Sequence, residues 1–215
     1  MASIREVLTR GARGGVLAVA LLAGSAQAPA QNLDLEQQIL KALTATPKAA
    51  TRSLTTTPAD TSQTVDRQFL DTLKNRTTHS LTATERERLA TIARERPSID
   101  IEINFDYGSE KVGPAAVPSL TALGKALTNP DLKGSTFVLA GHTDAKGGYP
   151  FNQDLSEKRA DTVKRYLVDH FQIPASALVS VGYGKTKLKN ESDPFGAENR
   201  RVQIVNMEEK SICER

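Results

Sequence analysis

Ile99, Ile101, Ile103 and Phe105 alternate without a break with Asp100, Glu102, Asn104 and Asp106. Successive side chains of a strand point to opposite faces, so this period of two predicts a strand with one apolar face, which another layer must cover. It is the clearest strand in the chain. Ala116, Leu120, Leu123 and Leu127 then recur at helical spacing behind Pro118, whose fixed φ suits a first turn, and Asn129-Pro130 closes that helix. Thr136 to Ala140, TFVLA, is a continuous apolar run of the kind found in a central strand covered on both faces. A second helix is predicted from about Asp154 to Phe171, stopping before Pro174, with further strands near Leu178–Gly182 and Arg201–Val205. The order strand, helix, strand, helix, strand, strand predicts a two-layer α/β domain of about 110–130 residues.

Upstream, Thr82 and Glu85 form a capping box that predicts a leading helix ending near Arg94, before Pro97. This divides the ordered part into a leading segment, residues 81–98, and a domain, residues 99–207, with a tail at 208–215. Residues 31–80 are rich in Thr, Ser, Ala and Pro and are expected to be a flexible spacer, with brief helices at Leu33–Leu43 and Phe69–Leu73. Eight membrane-crossing strands of about ten residues each do not fit there, and the alternation they need is missing.

Residues 1–30 have the pattern of a secretory signal: Arg5, Arg10 and Arg13 precede the apolar run Gly14–Gly24, which falls short of the roughly 20 residues that span a bilayer. Cleavage is expected after Ala28 or Ala30, the latter favoured, with export to the periplasm. Leu21-Leu22-Ala23-Gly24 resembles the start of a lipobox, but Ser25 stands where the acylated cysteine would be, so no lipid is expected.

The formal charge of +3 and pI near 9.0 include the signal; removing Arg5, Arg10, Arg13 and Glu6 leaves 25 basic against 24 acidic residues. A nearly neutral chain gives no basis for binding nucleic acid or an anionic membrane surface. Cys213 is the single cysteine, so no intramolecular disulfide can form and stability must come from packing. The three histidines, His79, His142 and His170, form no metal-ligand pattern, and no nucleophile elbow accompanies them. His142 and Asp144 are the one pair that could begin a metal or acid–base site, and alternating residues at a strand end are expected to be structural. No enzyme, metal or cofactor is therefore expected.

Asp144 follows the predicted central strand through Gly141-His142-Thr143, at the C-terminal edge where α/β sheets present ligand groups. Gly147-Gly148 lets a ligand come near the main chain. Leu155, Arg159, Val163 and Leu167 lie four apart, which puts Arg159 in the first turns of the second helix and in line with core-facing residues. The free N–H groups at that helix start would add positive potential. Asp144 suits an ammonium and Arg159 a carboxylate, the two halves of an amino-acid head group. Spacing alone favours a plainer arrangement, in which Asp144 and Arg159 pair with each other and tie loop to helix.

Between Ile103 and Val205 five motifs follow in order: INFDYGSE, GHTDAKGG, Asn152-Gln-Asp-Leu-Ser-Glu-Lys-Arg-Ala160, VGYGK and Asn199-Arg-Arg-Val202. This set resembles the OmpA-like C-terminal domain family, which includes the peptidoglycan-associated lipoprotein and the wall-binding half of the MotB-type flagellar stator protein. The resemblance implies an α/β (α+β) sandwich with a mixed sheet. It also implies non-covalent binding of peptidoglycan through the diaminopimelate of its stem peptides, contributing to cell-envelope integrity in a Gram-negative cell. Asp144 and Arg159 fall where that family holds the ammonium and the carboxylate. Thr143 and Asn152 are carried over beside them, with Asp106 and Tyr107 as walls at the end of the first strand. In the last strand Val202 and Ile204 should share the core face, which selects Arg200 over Arg201 as a further site residue. A rival reading makes residues 31–80 a docking segment for an envelope protein, with Phe69, Leu70 and Leu73 as a short helix; a metal-dependent wall hydrolase is the remaining alternative.

Overall fold

The computed structural model describes residues 28–45, 59–74, 76–103, 105 and 108–208. Residues 1–27 of the predicted signal, Asp106, Tyr107 and Cys213 lie outside them. In chain order the elements are α1 (Ala28–Thr44), α2 (Ala59–Leu73), α3 (Ala83–Ala93), β1 (Ser98–Ile101), α4 (Val117–Leu127), β2 (Phe137–Gly141), α5 (Tyr149–Phe171), β3 (Leu178–Gly182) and β4 (Val202–Asn206). The four strands form one mixed sheet in the order β1-β4-β2-β3. β2 and β3 run parallel, and β4 enters between β2 and β1, antiparallel to both. The expected α/β class and its β-α-β-α-β-β order are both present.

β2 is buried at every position, as its unbroken apolar run demands. Phe137 and Leu139 face one core, with Leu120 and Leu123 of α4 and Val163 and Leu167 of α5; Val138 and Ala140 face another, with Leu89 and Ile92 of α3. Each fully buried side chain of this size contributes roughly 1.5–3 kcal/mol through removal from water.

The spacer expectation needs correction. α1 places Ile39 and Leu43 at 0% exposure in the first core, and α2 places Leu70 and Leu73 in the second. A segment rich in Thr, Ser and Ala can still fold when its few apolar residues share one helix face and a sheet is there to receive it. Asn206 Nδ2 also donates to the Leu43 carbonyl at 3.0 Å, fixing the end of α1 to β4. Leu70 and Leu73, which the rival reading would use to dock a partner, are buried against the chain's own sheet, and Phe69 lies under the Arg88 guanidinium.

Two other expectations shift. The alternating run from Ile99 buries Ile101 and Ile103, but the ladder ends at Ile101 because its partner Val202 is the first residue of β4. α5 begins at Tyr149, more than a turn before the expected start, because Pro150 is suited to a first turn. The capping box forms as read: the Thr82 hydroxyl accepts from Glu85 N, and the Glu85 carboxylate accepts from Thr82 N. The chain between α2 and α3 wraps the β3 edge, where Asp161 of α5 accepts hydrogen bonds from Thr78 at 2.6 Å and Ser180 at 2.5 Å. Beside it the buried Glu157 carboxylate meets His79 at 2.6 Å and Arg86 at 3.3 Å.

Candidate functional site

The loop that leaves β2 is held from three sides. Thr143 N donates to the Gly184 carbonyl at 2.9 Å, and Ala145 N to the Pro194 carbonyl at 2.9 Å. From α5, Asn152, 2% exposed, donates its side-chain amide to the Lys146 carbonyl at 2.9 Å. Gly147 takes φ +92, in the left-handed region that favours glycine, and Lys185 Nζ caps its carbonyl at 2.7 Å. The Asp144 carboxylate accepts from Lys146 N at 3.1 Å through Oδ1 and from Arg200 Nη1 at 2.9 Å through Oδ2. These bonds use part of an acceptor capacity of about four lone pairs, so an incoming ammonium still finds acceptors there.

Arg159 sits one layer deeper. It is 7% exposed, donates Nε–H to the Ser109 carbonyl at 3.0 Å, and lies 5.0 Å from the centre of the Phe105 ring. Burial lowers its pKa from the usual value; the charge of Asp144 opposes this, that of Arg200 adds to it, and that of Glu110 opposes it. A guanidinium stays protonated through such a shift, so the site keeps a fixed cation. Leu155, Val163 and Leu167 are buried in the same stripe, as the spacing required.

The helix-end argument for Arg159 is corrected by the early start of α5. The open N–H groups of α5 belong to its first turn at Tyr149, whereas Arg159 lies more than two turns on, beyond the reach of the helix-end potential. The cationic character there is the side chain's own. The plainer arrangement, Asp144 paired with Arg159, gives way to one in which Arg200 holds Asp144 directly and Arg159 acts on it through its field.

Arg200 and Arg201 diverge, but not by strand parity: both precede β4, and Arg200 is exposed rather than on the core face that was expected for it, while Arg201 is the more buried of the two. Arg200 turns to Asp144, while Arg201 turns away to Asp100 at 3.0 Å, which Lys189 also meets at 2.9 Å. Burial pushes the Asp100 pKa up, but hydrogen bonds and charge from Lys189 and Arg201 outweigh it and leave the group below its usual range. Asn199 escaped the sequence reading. Fully buried, it accepts from Lys189 N and Asn190 N through Oδ1 and donates to the Asn190 and Asp193 carbonyls, so it shapes the loop that sets Arg200 in place. Its place in the NRRV motif was the only signal. Ser109 and Phe105, the supports of Arg159, were likewise marked only by their place in INFDYGSE and, for Phe105, in the alternating run.

Among the described residues no group of three His, Cys, Asp or Glu side chains is placed to hold a metal. His142 is 3% exposed, its Nδ1 lies 3.1 Å from the Lys187 carbonyl, and burial with the nearby Arg201 charge pushes its pKa down to about 3. Its Nε2 and the Thr143 hydroxyl are buried without a partner among the described residues. No helix among them is long and apolar enough to cross a membrane.

The open mixed sheet thus carries a charged loop at the end of a central strand, with a buried arginine in the field of its carboxylate. Residues 104–201 match the OmpA family, and this part of the chain is an OmpA-like domain. The peptidoglycan-associated lipoprotein of Pseudomonas aeruginosa is 39% identical over 103 residues, 46% of this chain and 58% of that protein. Outer membrane porin F of Pseudomonas fluorescens is 32% identical over 107 residues, 49% of this chain and 32% of that protein. Among solved structures, the peptidoglycan-associated lipoprotein from Burkholderia pseudomallei aligns at 24% identity with a TM-score of 0.41, covering 54% of this chain and 92% of that one. The chain thus spans less than two thirds of the length of these curated relatives.

Proposed function

We propose that this protein binds peptidoglycan in the periplasm without covalent attachment, gripping the diaminopimelate head group of a stem peptide between Asp144 and Arg159. The observation that carries this reading is the juxtaposition of a partly buried carboxylate just past the end of β2 with a buried guanidinium on α5, each within the other's field. The ammonium docks on Asp144, and the carboxylate meets Arg159 with Arg200 at its side. Thr143 and Asn152 set the loop, and Asp106 and Tyr107 are proposed as walls beside Phe105. The 39% identity to a peptidoglycan-associated lipoprotein supports a wall-binding rather than a catalytic role.

Sedimentation with purified diaminopimelate-type sacculi tests this. Wild-type protein should pellet with them, and Asp144→Ala and Arg159→Ala should stay in solution while keeping the wild-type circular dichroism spectrum. Pelleting of both folded variants at the wild-type level would remove these residues from the site.

A further inference from the structure

Five large apolar side chains are exposed among the described residues, and the three aromatic ones, Tyr149, Phe151 and Phe195, belong to the first turn of α5, which follows the Asp144 loop, or to the segment that bonds this loop through Pro194. The other two, Val65 and Val117, belong to α2 and α4. Scattered exposed apolar residues need no explanation, but aromatics gathered around one charged loop do. The Phe195 carbonyl lies 3.5 Å from the same Arg200 Nη1 that holds Asp144, and neighbouring Pro194 is bonded to Ala145. A Cβ placed on Gly147 would touch the Phe151 ring at 3.5 Å, so that ring rests beside the glycine. Lys185 Nζ is 4.3 Å from the centre of the Tyr149 ring and fixes it through a cation–π contact while bonding the Gly147 carbonyl.

The make-up of this rim selects its occupant. It brings exposed aromatic rings together with an ammonium, that of Lys185. A sugar ring matches both: its C–H face stacks on an aromatic ring, and its hydroxyls accept from an ammonium. The inference rests on the wall-binding reading above, in which a stem peptide joins the gripped head group to the glycan over a few residues, each adding roughly 3.3–3.6 Å. We propose that Tyr149, Phe151 and Phe195 form a stacking rim that receives a sugar ring of the glycan strand beside the head-group site.

Calorimetric titration with two ligands separates this from the head-group assignment. One is a free diaminopimelate tripeptide; the other is the same tripeptide still carrying its disaccharide. Wild-type protein should bind the sugar-bearing ligand roughly tenfold more tightly, the effect expected of a few aromatic contacts. Combined Tyr149→Ala, Phe151→Ala and Phe195→Ala substitution should erase that ratio and leave tripeptide affinity unchanged. Equal wild-type affinity for both ligands overturns the rim and leaves the head-group site standing. Equal loss of both ligands in the folded triple variant also overturns it and assigns the aromatics to the peptide. If wild-type protein binds neither ligand, both readings fall together.

Discussion

Asp144 Oδ2 receives Arg200 Nη1 at 2.9 Å, with the arginine side chain 46% and the aspartate 15% exposed. Arg200 therefore orients the carboxylate from the solvent side, and Arg159 remains anchored beneath on Ser109 and Phe105. A partly exposed pair of this kind contributes about 0–1 kcal/mol, so a ligand can reorganise it at little cost.

Arg200→Ala should consequently lower unfolding free energy by less than about 1 kcal/mol in urea titration. The same variant should weaken sacculus binding without abolishing it, because Asp144 keeps the Lys146 N–H and the ligand ammonium as partners. Loss of binding as complete as in Asp144→Ala would make Arg200 a principal ligand group instead.

Gly141 sets the distance between β2 and α5. A Cβ there would lie 2.2 Å from the Ser156 backbone carbonyl, which cannot swing aside as a side chain could. Gly141→Ala should cost about 1–3 kcal/mol and shift α5, and Arg159 with it, relative to Asp144. Gly113→Ala, where nothing stands within 4 Å of the new methyl, is the control and should be nearly neutral.

Acid should destabilise the domain through His142. An unfolded histidine titrates near 6.5, whereas burial and Arg201 hold the folded one at about 3. Between these values the unfolded chain binds a proton that the folded chain refuses. The stability conferred by neutral His142 is present above about pH 6.5 and is lost as the pH falls toward 3. Asp100, held low by Lys189 and Arg201, acts in the same direction. His142→Asn should flatten unfolding free energy against pH by up to about 1.4 kcal/mol per pH unit within that window.

α1 is part of the fold, so Leu43→Ala should destabilise the protein by about 2–5 kcal/mol in chemical denaturation. A flexible tether at this position would make the substitution neutral.

The sheet and the α4–α5 layer were legible because their apolar periods are long and bounded by proline. The placement of Asp144 and Arg159 was legible for the same reason: Asp144 follows a buried strand, and Arg159 interrupts a core stripe. α1 and α2 were under-read because composition averages over a helix, while Ile39, Leu43, Leu70 and Leu73 are sparse and find their receiving faces only in three dimensions. The partner of Asp144 could not be read at all, since pairing with Arg200 rather than Arg159 depends on how Asn199 folds a distant loop.

The central claim is that the site recognises both ends of the diaminopimelate head group. Nuclear magnetic resonance titration of the protein with a diaminopimelate stem peptide, and with the same peptide carrying lysine in its place, tests it most directly. Lysine offers the ammonium to Asp144 but has no carboxylate for Arg159. Saturable shifts in residues 143–159 with the diaminopimelate peptide, much weaker ones with lysine, and none with Asp144→Ala are predicted. Equal affinity for the two peptides would contradict the account.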